Sequence, residues 1–142
     1  MRKEFYLKSN IKISLIIPVG SDDVEKFKFL IRNLKNNTKY LFEIIAVFSN
    51  FQGESEKSNF EDISLIVDNK LITFFNKKVC FPGEARNIGL KISKGNFIAF
   101  LDVNTIPPSD WLEKSIGLIS NYESFFGRTE YQFTNYFQRL FI

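Results

Sequence analysis

The sequence predicts an α/β fold with an open, mainly parallel, twisted sheet and helices on both faces, and three observations carry that prediction. Short β-branched apolar runs alternate with segments whose apolar residues recur at helical spacing, which implies βαβ crossovers. The runs are apolar at consecutive positions rather than at every second one, the profile of strands covered on both faces. Proline, glycine or asparagine stands where most of them stop.

Taken in order, Ile11-Lys-Ile-Ser-Leu-Ile-Ile-Pro-Val19 reads as the first strand, stopped by Pro18 and Gly20. Asp22 is the expected N-cap of a helix, with Glu25 three residues on and Phe27, Leu30, Ile31 and Leu34 at helical spacing before Asn36-Asn37. Phe42 to Phe48 is a second buried strand, and Ser49 to Asn59 a polar loop. Asp62 to Val67 and Leu71 to Phe75 both read as strands. Pro82 opens a helix whose packed face is Ala85, Ile88, Gly89 and Ile92, with Gly95 as a left-handed stop. Asn96 to Leu101 is the next buried strand. Asp110 then caps a helix with Glu113 at its third position, turning Trp111, Leu112, Ile116 and Ile119 inward. Phe125 to Phe133 reads as a strand and Asn135 to Ile142 as the opening of a helix. No repeat, linker or low-complexity tract divides the chain, so one domain is expected over residues 1–142.

Composition narrows the function classes. With 142 residues and 44% hydrophobic content, the chain is long enough to bury a core. Its net charge of +3 comes from 19 basic and 16 acidic residues scattered without a basic stripe, so nucleic acid is not an expected partner. The single cysteine, Cys80, has no partner for an internal disulfide, and the charged start does not lead into a signal peptide; a cytoplasmic chain is expected. No stretch reaches the roughly 18 to 20 apolar residues of a membrane span. Histidine is absent, which excludes Ser-His-Asp and Cys-His catalysis and leaves proton transfer to Asp, Glu, Lys or Tyr.

In open parallel sheets ligands bind beyond the carboxyl ends of the strands, where strand order reverses. Three segments are candidates for that edge: residues 19–23, 48–50 and 102–105. Asp102 stands where an apolar strand runs out, and Asn104 points to the same side if the chain stays extended. Together they offer hard oxygen ligands of the kind Mg²⁺ or Mn²⁺ takes; the competing reading is a turn ahead of Pro107-Pro108. Gly89 reads as a close-packing position, Trp111 as core rather than a sugar platform, Cys80 as an inert thiol, and Lys77-Lys78 as a solvated loop.

Leu15-Ile-Ile-Pro-Val19, Ala85-Arg-Asn-Ile-Gly89 and Gly95-Asn-Phe-Ile-Ala-Phe-Leu-Asp-Val-Asn104, followed by Pro108-Ser-Asp-Trp-Leu112, resemble the family 2 glycosyltransferases in order and spacing. Gly127-Arg-Thr-Glu-Tyr131 and Phe137-Gln-Arg-Leu140 loosely resemble the segment that follows in some members. The resemblance implies a GT-A fold that binds a nucleoside-diphosphate sugar and transfers the sugar with inversion to an acceptor the sequence does not identify. It implies that Pro18, Val19, Gly20 and Ser21 line the nucleotide, with Ser49 and Val103 completing the donor site. Arg86 matches an arginine near the base, although a plain surface arginine on a helix is the competing reading. Asp102 matches the first carboxylate of the Asp-x-Asp motif, and Asn104 takes the second, metal-contacting position.

The departures from the family pattern set further expectations. Phe48-Ser-Asn50 lacks the acidic residues that hold the nucleoside in the family, and a neutral Asn104 implies weaker metal binding. The chain stops at Ile142, before the region that supplies the family's acceptor surface and catalytic base, so a truncated chain is expected. Glu123 and Glu130 match no family position, and no catalytic residue is assigned. The apolar end Tyr136 to Ile142 predicts self-association, or attachment at the inner face of the membrane. The alternative to an enzyme is a non-catalytic GT-A-like module for nucleotide binding or assembly. Gly20-Ser-Asp-Asp23 replaces the Gly-x-Gly-x-x-Gly turn of a dinucleotide site, which sets aside a nicotinamide-dependent dehydrogenase.

Overall fold

The computed structural model describes residues 11–51, 60–119 and 121–128. Its centre is β1 (Ile13–Val19), buried along its whole length. On one side β1 pairs with β2 (Leu41–Phe48), which pairs in turn with β3 (Leu71–Phe75); on the other it pairs with β4 (Phe97–Phe100). All three pairings are parallel and the order is β3-β2-β1-β4. The chain therefore steps outward from β1 to β3, then returns to the far side of β1, so the strand order reverses between β1 and β4.

The two faces follow from strand alternation. Ile13, Leu15, Ile17 and Val19 of β1 and Ile44, Ala46 and Phe48 of β2 face one core, shared with helix α1 (Val24–Asn33), helix α2 (Glu61–Ile66) and helix α4 (Trp111–Ile119). Ile16, Ile45 and Val47 face the other, covered by α3 (Pro82–Ile92) through Ala85 and Ile88. Helices thus cover both faces. The abundant phenylalanine finds a use in the first core, where Phe48 stacks on Phe75 at 4.9 Å and meets Phe27 edge-on at 5.2 Å, with Phe51 and Phe60 closing the cluster. Trp111 packs against the same core, as its sequence position suggested.

Several expectations need correction. The expected strand over 62–67 is instead helix α2 with its cap residue Val67: Ile63 and Val67, one helical turn apart, are buried while Leu65 is 65% exposed. The apolar alternation is real, but four-residue spacing is what reaches the core, and Asp68 and Asn69, both at positive φ, turn the chain into β3. Helix α1 begins at Val24 with Asp23 in the cap position, because the Asp23 N–H closes a turn onto the Gly20 carbonyl. Asp22 is therefore not the cap, and the Asp23 carboxylate pairs with Lys26 at 2.7 Å. Helix α1 runs into a 3-10 segment, Leu34–Tyr40, rather than stopping at Asn36-Asn37. On α3, Ile92 is exposed. Residues 125–128 carry no strand, and the rest of that expected strand, like the helix over 135–142, lies outside the described residues.

Gly95 is not in a left-handed conformation; no described glycine is. Its requirement is space. A Cβ there would lie 2.5 Å from the Lys12 carbonyl oxygen and 2.5 Å from Ser14 Oγ. Around it sits a buried polar clasp: Ser14 Oγ donates to Glu43 Oε1 at 2.6 Å, and the Lys94 and Gly95 N–H groups donate to Glu43 Oε1 and Ser14 Oγ at 2.6 and 2.8 Å. Glu43 is 4% exposed inside an apolar strand, so these partners are what make its burial tolerable. The clasp fixes where α3 hands over to β4, at the amino ends of the strands.

Candidate functional site at the carboxyl edge of the sheet

The opposite end of the sheet, where β1 and β4 diverge in order, is the site that the fold creates. Ile16 pairs with Phe100, and the Leu101 N–H still donates to the Ile16 carbonyl at 3.2 Å. Beyond that bond β4 ends. Leu101 and Val103 are both buried against the first core, so alternation sends the intervening Asp102, which is exposed, toward the α3 face.

Helix α3 brings the partner. Gly89 lies so close to the sheet that an added Cβ would be 2.5 Å from Ile16 Cγ2, the close-packing role its sequence position suggested. Ala85, 1% exposed, packs on the same face. With the helix seated on β1, the next residue, Arg86, reaches Asp102: Arg86 Nη2 donates to Asp102 Oδ1 at 2.6 Å. The side chains are 33% and 60% exposed, so water screens the pair and its worth to stability is at most about 1 kcal/mol. Arg86 thus meets the candidate carboxylate from a separate element.

The other candidates surround this pair at the same edge. Pro18 and Val19 are the buried last residues of β1, and Gly20 and Ser21 begin the turn that enters α1. A Cβ on Gly20 would stand 2.8 Å from Asp23 Oδ2, so the turn is tight against that carboxylate. Ser49 ends β2 beside Val19, whose carbonyl accepts the Ser49 N–H at 2.9 Å. Its hydroxyl oxygen accepts the Cys80 N–H at 2.8 Å, so Ser49 fastens the loop ahead of α3. Cys80 is buried and free. Lys78 is exposed in that loop. Glu123 is exposed beyond α4, and Glu130 lies outside the described residues.

Asn104 does not follow the extended geometry. The Thr105 N–H donates to the Asp102 carbonyl at 2.9 Å, which closes a turn over 102–105, so strand alternation stops at Val103. The turn that the sequence also allowed ahead of Pro107-Pro108 is therefore present at Asp102. A divalent ion fits these residues poorly: one oxygen of Asp102 is held by Arg86, Asn104 is neutral, and no three acidic or sulfur ligands come together among the described residues. Beyond the site, the Lys114 ammonium donates to Asp110 at 2.8 Å and holds that carboxyl below its ordinary value at the start of α4. Among the described residues no helix is long and apolar enough to cross a membrane.

A parallel sheet covered by helices on both faces, with an acid–arginine pair where its strand order reverses, defines an open α/β fold. Comparison with known proteins makes this specific. The Glycosyl transferase family 2 model matches residues 14–140, and the chain belongs to that family. An uncharacterized glycosyltransferase of Rickettsia bellii is 31% identical over 128 residues, which cover 85% of this chain and 17% of that protein. The crystal structure of S. aureus TarS 1–349 superposes with a TM-score of 0.60 at 21% identity, covering 78% of this chain and 32% of that one. The same fragment in complex with UDP-GlcNAc gives 0.61 at 20% identity, covering 78% and 31%. These likenesses show the fold to be GT-A. The chain spans about a fifth of the length of the curated relatives it matches.

Proposed function

We propose that this chain is the donor-binding portion of an inverting glycosyltransferase that uses a nucleoside-diphosphate sugar. The observation that carries the reading is the meeting of Arg86 and Asp102 at 2.6 Å, from two separate elements, at the point where strand order reverses. An arginine presents planar paired donors suited to a base edge or a phosphate, and a carboxylate with one oxygen uncommitted accepts hydrogen bonds from ribose hydroxyls. Support from outside the chain is the S. aureus TarS structure, which holds UDP-GlcNAc on the same fold. On this reading Pro18, Val19, Gly20, Ser21 and Val103 form the backbone wall of the donor pocket, and Ser49 acts by holding the loop that carries Cys80.

A second reading, a nucleotide-binding module without transfer activity, is favoured by the acid-free end of β2 and the neutral Asn104. Both readings require nucleotide binding, and they part on turnover.

Calorimetric titration with UDP, GDP and dTDP tests what they share. One of the three is expected to bind, and Asp102→Ala to weaken it about tenfold or more, the usual worth of a hydrogen bond to a charged group. Equal, negligible heats for all three nucleotides would remove the proposal. Hydrolysis or transfer of a bound sugar nucleotide would favour the enzyme over the module.

A further inference from the structure

The family implies a divalent ion at this site, and the residues here fit one poorly; that disagreement leads to a specific assignment, which rests on the donor-binding reading above. We infer that the guanidinium of Arg86 takes the place of the divalent cation beside Asp102, so that this chain binds a nucleoside diphosphate without metal dependence.

The geometry supports this in three ways. First, Arg86 Nη2 already donates to Asp102 Oδ1 at 2.6 Å, a separation at which an ion would have to displace a charge-assisted hydrogen bond. Second, the residue two positions on, where a second carboxylate would strengthen an ion's hold, is the neutral Asn104, and the turn closed by the Thr105 N–H ends the alternation that would align it with Asp102. Third, a guanidinium carries five N–H donors and spends one of them on Asp102, so the same group can neutralise the carboxylate and still donate to phosphate oxygens. Positive charge is available nearby without metal. Helix α3, eleven residues long, begins at this edge with Pro82, and its unsatisfied N–H groups carry partial positive charge toward an anion. Lys78 stands exposed just before it.

The pair is also positioned to respond. Both side chains are partly exposed, so solvent holds the pair loosely enough for Arg86 to turn a donor toward a diphosphate while keeping its contact with Asp102.

The test uses the 142-residue chain and two readouts. In calorimetry with UDP, GDP and dTDP, the affinity of the nucleotide that binds is expected to agree within about twofold between EDTA and saturating Mn²⁺, and Arg86→Ala to weaken it about tenfold in EDTA, as loss of a charge-assisted contact predicts. Arg86→Lys, which keeps the charge but not the planar fork, should recover part of that loss. In electron paramagnetic resonance with Mn²⁺ alone, the wild-type chain should leave the ion largely free. Nucleotide affinity that rises tenfold or more with Mn²⁺, or a wild-type chain that itself binds Mn²⁺, would overturn the inference while leaving the donor-binding reading intact. Absence of nucleotide binding in either buffer would remove both. Arg86 is partly exposed on its helix, and circular dichroism of each variant verifies that the fold is retained.

Discussion

Gly95→Ala is expected to destabilise the chain by ~3 kcal/mol or more, because the new methyl meets backbone and a buried hydroxyl rather than a flexible side chain. Its Cβ would stand 2.5 Å from the Lys12 carbonyl oxygen, 2.5 Å from Ser14 Oγ and 2.8 Å from the Ser14 nitrogen. None of these can yield alone. The Lys12 carbonyl accepts the Phe97 N–H at 3.1 Å, the bond that opens the β1–β4 ladder, and the Lys12 N–H donates to Asn96 Oδ1 at 2.7 Å. Ser14 is fully buried and donates to Glu43. Relieving the clash therefore pulls the 94–97 turn away from β1 and strips the Lys94 and Gly95 N–H groups from a buried carboxylate and hydroxyl. Urea unfolding followed by circular dichroism measures the loss. Gly117→Ala is the control: nothing lies within 4 Å of its added Cβ, and alanine in a helix interior should be worth ~0.5 to 1 kcal/mol in the opposite direction. Equal stability of Gly95→Ala and the wild type would show that the clasp tolerates displacement.

Phe48→Ala should cost ~3 to 5 kcal/mol, the range for removing a buried aromatic ring and leaving a cavity. Phe48 is 1% exposed and sits among four other rings, with centroids 4.9 Å from Phe75, 5.1 Å from Phe60, 5.2 Å from Phe27 and 5.5 Å from Phe51. Those rings come from α1, β3, the segment after β2 and the residue that caps α2, so collapse to fill the space would have to move several elements at once. The same unfolding experiment reads it, and Phe48→Leu, which retains most of the volume, should lose much less. A loss below ~1 kcal/mol for the alanine variant would mean that the cluster repacks freely.

Much of the fold was legible because long apolar runs leave little choice. Ile13–Val19 and Leu41–Phe48 are buried on both faces, and such runs make poor amphipathic helices. Helix α2 is hidden in the sequence for a physical reason: in six residues, alternation and four-residue spacing place Ile63 and Val67 on one side equally well, and only packing against the first core decides. A glycine at the end of a helix pattern suggests a left-handed stop, whereas Gly95 serves to admit β1; nothing local to Gly95 announces its contacts with Lys12 and Ser14. Glu43 itself was the available signal, a carboxylate inside an apolar strand that must find partners.

At the candidate site, motif order in the sequence located Asp102 and Arg86 separately. Their direct contact was not legible, since it depends on how closely α3 sits on β1, which the Gly89–Ile16 approach sets. For Asn104, the expected alignment with Asp102 assumed extended chain, and the hydrogen bond from Thr105 replaced it with a turn. Asp102 lies just past the end of β4 and accepts from Arg86 with one carboxylate oxygen.

The claim that this edge is the donor pocket is tested most directly by heteronuclear NMR of the ¹⁵N-labelled chain titrated with UDP, GDP or dTDP. The predicted result is that amide signals of Gly20, Arg86 and Val103 shift with the ligand while those of Lys94 and Gly95, at the far end of the sheet, stay in place. Shifts confined to the Lys94–Gly95 end, or no shift with any of the nucleotides, would contradict it.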